Sequence, residues 1–339
     1  MTARAKIYRS RRTLMGRLSS RAVAAVLGLA MLHAASAVAA PDYPDKPVRL
    51  IVGFPPGGST DVLARMVANG LSQKLGRQFI VENKPGASGM IGANEVAKAR
   101  PDGYTLLFSS STLATYRALY PTTPFDASKD FEPVSLVATT PYLLVVHPSL
   151  PVHSVSELIA YAKAHPGEIN YAASAPGGGQ HLAWEMFKRM NGVDLLYVPY
   201  AGTGALTPDL LAGRLQAAID NVAVLAQQVR ARTLRPIAVT GPKRSALLPG
   251  VPTAIESGLP GFDVVGWFAV FAPANTSSQV TARLSQAIGE IMREPAMRKA
   301  FEDLGADPDV RGPEALREFL ASETSRWGKL IQDAGIKLQ

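Results

Sequence analysis

The run Val48-Arg49-Leu50-Ile51-Val52-Gly53-Phe54-Pro55-Pro56-Gly57-Gly58-Ser59-Thr60-Asp61 changes its structural signal twice within fourteen residues. The first five residues, rich in β-branched and apolar types, read as a short strand. Pro-Pro-Gly-Gly ends it. From Thr60 onward, Val62, Leu63, Met66, Val67, Leu71 and Leu75 recur at helical spacing, and Gly76 supplies the stop. Outward from this strand–turn–helix unit the pattern repeats. Phe79–Glu82 reads as a strand, the Gly-rich residues 86–92 lead into a helix near 93–99, and Pro101-Asp102-Gly103 turns the chain into a strand at Tyr104–Phe108. Strands alternating with helices predict parallel βαβ units and an α/β fold.

The second half follows the same plan. Tyr142–Val146 reads as a strand, and 156–165 as a helix stopped by Pro166-Gly167. Ile169–Ala173 is a strand followed by Ser174-Ala175-Pro176-Gly177-Gly178-Gly179 and a helix over 180–190. Further strands are expected at Leu195–Val198, Ala217–Asp220, Ile237–Val239 and Phe268–Ala272, with a short helix at Pro208–Gly213. Two helices, near 279–293 and 313–334, close the chain.

Residues 1–39 are of another kind. Arg4, Lys6, Arg9, Arg11, Arg12, Arg17 and Arg21 have no acidic counterpart, Ala22–Leu32 is apolar, and Ala37-Val38-Ala39 fits an A-x-A cleavage site. This order predicts a cleaved secretory signal peptide, and hence a protein of the periplasm. The apolar stretch is well short of the ~20 residues a membrane-spanning helix needs. Ser10-Arg11-Arg12-Thr13-Leu14-Met15 suits twin-arginine export as well as the general secretory route, so both stay open. The charge changes with the leader. Taking its seven basic residues from the 35 of the whole chain leaves 28 against 27 acidic ones, so the net charge drops from +8 to +1. Bulk electrostatics therefore give no reason to expect a nucleic-acid partner. With no Cys at all, disulfides, thiolate metal sites and an N-terminal lipoprotein anchor are excluded. About 300 residues remain, enough for two domains.

Two loops share one design: Phe54–Asp61 and Ser174–His181 each follow a strand, are rich in Gly and open a helix. Helix starts present unpaired N–H groups and partial positive charge, so an anion sits there readily. Ser109-Ser110-Ser111-Thr112 occupies the same relative place after its own strand. Ser59, Thr60 and Asp61 serve either as plain helix caps or as ligand contacts. His181 is a packing residue or a ligand contact, and Phe54, Tyr200 and Trp267 are core or pocket wall. Asp220, a carboxylate ending an apolar strand, caps a helix or lines a cleft. Neither loop matches G-x-x-x-x-G-K-[ST] or G-x-G-x-x-G, which points away from nucleotides and toward a small carboxylate. Neither G-x-S-x-G, S-x-x-K nor H-E-x-x-H occurs, so no enzyme class is indicated, and no cofactor or metal is expected.

Taken in order, these pieces resemble the tripartite tricarboxylate transporter receptors, the Bug family of periplasmic solute-binding proteins. The resemblance is carried by Tyr43-Pro44-Asp45-Lys46-Pro47-Val48, Phe54-Pro55-Pro56-Gly57-Gly58-Ser59-Thr60-Asp61, Val81-Glu82-Asn83-Lys84-Pro85-Gly86 and Pro101-Asp102-Gly103-Tyr104. It continues through Asn170–Ser174, Gly177–Leu182, Val198-Pro199-Tyr200-Ala201-Gly202, Asp209–Gly213 and Gly266-Trp267. It implies an α/β, type II-like, two-domain periplasmic-binding-protein (Venus-flytrap) fold, each domain a mixed, mainly parallel sheet flanked by helices. The implied division is residues 40–143 plus 268–339 for one domain and 144–267 for the other. It also implies a small organic acid as ligand (a dicarboxylate, tricarboxylate, amino acid or aromatic acid) and the membrane permease subunits of a tripartite transporter as partners. By position, the implied contacts are Gly57, Gly58, Ser59, Thr60, Asp61 and Ser109, facing Ser174, Gly177, Gly178, Tyr200 and Asp220. A sensor that partners a membrane signalling protein is the alternative role, and a periplasmic hydrolase or isomerase a third, against which the absence of a recognisable nucleophile–base pair counts.

Overall fold

The computed structural model describes residues 43–173, 177–200 and 203–336. The expected leader and Ser174 lie outside them. In the first half, β1 (Val48–Val52) runs into α1 (Ser59–Leu75), then β2 (Phe79–Asn83), α2 (Met90–Ala97), β3 (Thr105–Ser110) and the single turn α3 (Tyr116–Leu119). Of the helical spacing read in α1, Leu63, Val67 and Leu71 lie in the core, joined by Ala64 and Ala68, while Val62, Met66 and Leu75 are half-buried, and Gly76 ends the helix in the left-handed conformation. Next comes β4 (Phe131–Val146), a single strand of 16 residues. After it follow α4 (Val155–Ala164), β5 (Asn170–Ala173), α5 (Gly179–Asn191), β6 (Leu196–Pro199), α6 (Thr203–Leu211), β7 (Ala217–Asn221), α7 (Val222–Arg230) and β8 (Arg235–Val239). β9 (Val265–Pro273), α8 (Ser278–Ile291), α9 (Pro295–Asp303), β10 (Asp307–Arg311) and α10 (Pro313–Asp333) complete the chain.

β1 pairs in parallel with β2 and β3, and β5 pairs in parallel with β6 and β7, as the alternation predicts. These two parallel groups are joined by β4 and β9, which run antiparallel to their neighbours, so the sheet is mixed. β4 changes partner part-way. Its first segment pairs with β9 as far as Pro141↔Val265 and with β10, whereas Tyr142–Val146 pairs with β7 and β8. The sequence marks only this second segment, because Pro133, Pro141 and Ser135 break the appearance of a strand. The structure absorbs each break: Pro133 lies at a register shift and Pro141 at the change of partner. α7, α9 and β10 were also not evident from the sequence. α6 starts at Thr203 rather than at Pro208, which sits inside it although Pro favours a first turn.

The helix α10 packs into two cores. Leu316 and Leu320 join Ile51, Leu107, Trp267 and Phe271. Trp327 and Ile331 join Tyr142, Leu144, Trp184 and Phe187. Between them the buried carboxylate of Glu323 accepts the indole N–H of Trp327 at 2.9 Å and that of Trp267 at 3.2 Å. Burying a carboxylate is costly unless its lone pairs are used, and here two donors from separate cores use them. Trp327→Ala is expected to lower the unfolding free energy by about 3–5 kcal/mol, the usual cost of emptying a buried indole site. The effect reads as a lower urea midpoint at unchanged slope. Lys329→Ala, one position-pair along on the solvent side and 80% exposed, should change it by less than about 0.5 kcal/mol.

Candidate functional site

The first Gly-rich loop turns on Gly57, whose φ of 85° is the left-handed conformation that favours glycine. Gly58 caps α1 without a side chain, and the work passes to Asp61. Its Oδ2 accepts the Gly57 N–H at 2.9 Å and Arg65 Nε at 3.1 Å, and its Oδ1 accepts from Asn83 Nδ2 at 2.8 Å. Asn83 also donates to the Phe54 carbonyl at 3.0 Å, tying the start of the loop to the same anchor. Burial opposes the charge on Asp61, but the hydrogen bonds from Arg65, Gly57 and Asn83 outweigh it and hold the carboxyl below its ordinary value.

The second loop repeats this geometry. Gly177 has φ 71°, Gly178 caps α5, and the Gly177 N–H donates to Nδ1 of His181 at 2.9 Å. Gly57 matches Gly177, Gly58 matches Gly178, and Asp61 matches His181. Burial keeps His181 below the usual histidine value, against the weaker pull of Glu185.

Both helix starts border one cleft. Ser59 and Thr60 reach it from α1, and Gly178, Gly179 and Gln180 from α5. Ser110, Ser111 and Thr112 form another side, with Thr140 and Tyr142 of β4 and Gly266, Trp267 and Phe268 of β9 as the floor. The Tyr142 hydroxyl is hydrogen-bonded to Ser111. The cleft holds about 160 Å³, against roughly 10–15 Å³ for one water. An adjoining chamber of about 110 Å³ is walled by Phe54, Tyr116, Leu119 and Tyr120 and touches Gly177. No Lys, Arg or His is among the described residues that line either space. The polar lining consists of backbone, hydroxyl and amide groups.

The family model for the tripartite tricarboxylate transporter family receptor matches residues 63–336. The chain belongs to this receptor family. BugT of Bordetella pertussis is 40% identical over 319 residues, covering 93% of this chain and 98% of BugT. Rpa4515 of R. palustris, solved with adipate, is 38% identical with a TM-score of 0.77, over 87% of this chain and all of that one. MatC (Rpa3494) from Rhodopseudomonas palustris, solved with bound malate, is 31% identical with a TM-score of 0.72, over 85% of this receptor and all of MatC. The α/β periplasmic-binding fold expected from the sequence is the fold of this receptor family.

Of the residues singled out in the sequence, Phe54, Ser59, Thr60, Gly178 and Trp267 border the cleft, and Gly177 borders the adjoining chamber. Gly57 and Gly58 form the turn. Asp61 is buried beneath it. Ser109 is buried within β3, with its Oγ 3.5 Å from the Ser110 carbonyl, and the next three residues border the cleft instead. Asp220 is fully buried one layer back: its Oδ1 accepts the Asn221 N–H at 2.8 Å and lies 3.4 Å from Gln180 Nε2. The Tyr200 hydroxyl donates to Asp209 Oδ2 at 2.5 Å. Ser174 lies outside the described residues. Thr140, Tyr142, Gln180, Asn221 and Gly266 were not singled out. Gln180 lay within the second Gly-rich loop already marked, and the others sit at the ends or joints of apolar strands, a signal that is weak until the strands are paired.

Asp61→Asn keeps the shape but not the charge, so it tests the lock. A depressed carboxyl contributes stability that is present above the ordinary Asp value near 3.9 and is lost as pH falls through the lower folded value. The stability gap between wild type and Asp61→Asn should therefore be constant from about pH 8 to about pH 5 and shrink below about pH 4, as followed by urea unfolding across pH.

Proposed function

We propose that this chain is a periplasmic receptor that captures a small carboxylate-bearing solute in the cleft and delivers it to the membrane permease of a tripartite tricarboxylate-type transporter. The observation that carries the reading is the convergence of two Gly-rich helix starts, from opposite ends of the mixed sheet, on one cleft with no described cation in its lining. Such a site suits an anion held by backbone N–H groups and hydroxyls. The carboxylate oxygens would accept from the N–H groups at the first turns of α1 and α5 and from the hydroxyls of Ser59 and Thr60. The division into residues 40–143 plus 268–339 and 144–267 would give two lobes joined by β4 and β9. Closure about those crossings follows if the ligand contacts both lobes better when they are shut. The relatives solved with adipate and malate support a carboxylate ligand. The predicted leader and the family's receptors support the periplasm. Capture rather than catalysis is supported by a lining of hydroxyls and amides in which no described His, Asp or Glu stands as a base.

A melting-temperature screen of adipate, malate, citrate, aspartate and benzoate tests this, with glucose as the neutral control. At a hundredfold excess over Kd, a true ligand should stabilise the protein by about 2.7 kcal/mol. Thr60→Val should weaken its binding by roughly 10–100-fold, since hydrogen bonds to charged groups contribute about 1.5–3 kcal/mol. A shift with glucose alone and none with any acid would sink the reading.

A further inference from the structure

The two loops are built alike but locked by different acceptors. Gly57 gives its N–H to a carboxylate, and Gly177 gives its N–H to an imidazole, each four residues further on. A ring nitrogen accepts only when it carries no proton, so Nδ1 of His181 is bare and the hydrogen sits on Nε2. Nε2 faces Glu185 Oε1 at 3.8 Å. The ring is buried and lies flat on Tyr197, with centroids 4.2 Å apart. Glu185 also accepts from the Tyr171 hydroxyl at 2.6 Å and from Lys188 Nζ at 2.9 Å. The groups facing His181 are thus Glu185 and Lys188 from its own helix, Tyr197 from β6, and Tyr171 from β5 behind Glu185. His181 does not itself border the cleft, whereas Gly178 and Gly179 do.

We propose that His181 is a positioning residue for the ligand site: in its neutral form it fixes the left-handed turn at Gly177 that sets the N–H groups of Gly178, Gly179 and Gln180 toward the cleft, and protonation of Nδ1 releases that turn and weakens capture. The inference rests on the reading of the cleft as a carboxylate site. Its sign is opposite to that of simple charge attraction, in which a new cation beside the cleft would tighten an anion as the pH falls. The first loop has no such sensitivity, because Asp61 remains ionised throughout. Since burial favours neutral His181, the lock is intact at neutral pH and fails on the acid side of the ordinary histidine value near 6.5.

Two measurements test this, and one needs no ligand. In the free protein, the nitrogen-15 amide signal of Gly177 should move as His181 titrates. In His181→Asn, whose Oδ1 replaces Nδ1 as a non-titrating acceptor, it should stay in place. Calorimetry with adipate should show wild-type affinity falling about tenfold between about pH 7 and about pH 5, relative to His181→Asn, which carries any titration of adipate itself. His181→Asn should bind within about threefold of wild type at neutral pH, and His181→Leu about tenfold more weakly. The Asn variant decides the matter if the Leu variant fails to fold. The proposal is overturned if the Gly177 amide ignores the titration of His181, or if affinity rises with acid in wild type but not in His181→Asn, which would make His181 a direct anion contact. Should adipate fail to bind at any pH, that counts against the choice of ligand, and the amide titration alone decides the role of His181.

Discussion

The first N–H groups of a helix find no carbonyl inside it, and that unmet valence must be answered by something else. In this receptor two helices begin at the rim of one cleft, and neither cap residue has a side chain to answer with, since both are glycine. The side chain at the third helical position reaches back past the cap instead, and takes the N–H of the glycine before it. This ties the turn that precedes each helix to the helix's own first turn. Much of the surrounding structure serves the arrangement. Asn83 at the end of β2 braces Asp61, and the Tyr171–Glu185–Lys188 group surrounds His181.

Each loop must also be held opposite the other. β4 and β9 supply this: β4 bonds directly to β7 of one parallel group and to β9, which bonds to β3 of the other, and β4 changes partner at Pro141 and Tyr142. A proline has no N–H to give to a ladder, so a change of partner there sacrifices less pairing than it would elsewhere. The floor of the cleft forms at that point, from Thr140, Tyr142 and Gly266. Glycine at 266 is required by contact: a Cβ there would come within 2.7 Å of the Tyr142 hydroxyl and 2.8 Å of Thr140 Cγ2. Tyr142 thus sits at a junction where backbone pairing, packing and the cleft surface all meet.

The legible parts of the sequence are those in which one period runs uninterrupted. β1, α1 and the loop between them could be read almost to the residue, and the two Gly-rich helix starts were evident from composition and order. The first segment of β4 was hidden, because its prolines are tolerated only by virtue of a register shift and a change of partner that no local window contains. β10 was hidden for a related reason: Asp307-Pro308-Asp309-Val310-Arg311 looks like a loop and becomes a strand only against β4. Within the site, Ser59 and Thr60 were legible from the loop. Thr140 and Gly266 were not, because long-range pairing brings them there. The spacing of Asp61 from Gly57 was visible, but it read equally well as an ordinary cap. The matching spacing of His181 carried no recognised meaning until the Gly177 N–H was seen on its ring.

All three tryptophans of the chain, Trp184, Trp267 and Trp327, are buried. Two of them share the Glu323 carboxylate, and one of these two, Trp267, also forms part of the cleft floor. The guanidinium of Arg326 lies 4.6 Å from the ring of Trp327. Indole emission responds to the electric field across the ring. An anion held in the cleft as proposed would therefore sit beside a chromophore whose N–H is already pinned to a negative charge, while a second chromophore on the same carboxylate samples the other core. On the proposed reading, tryptophan emission of the unlabelled protein would report occupancy of the cleft.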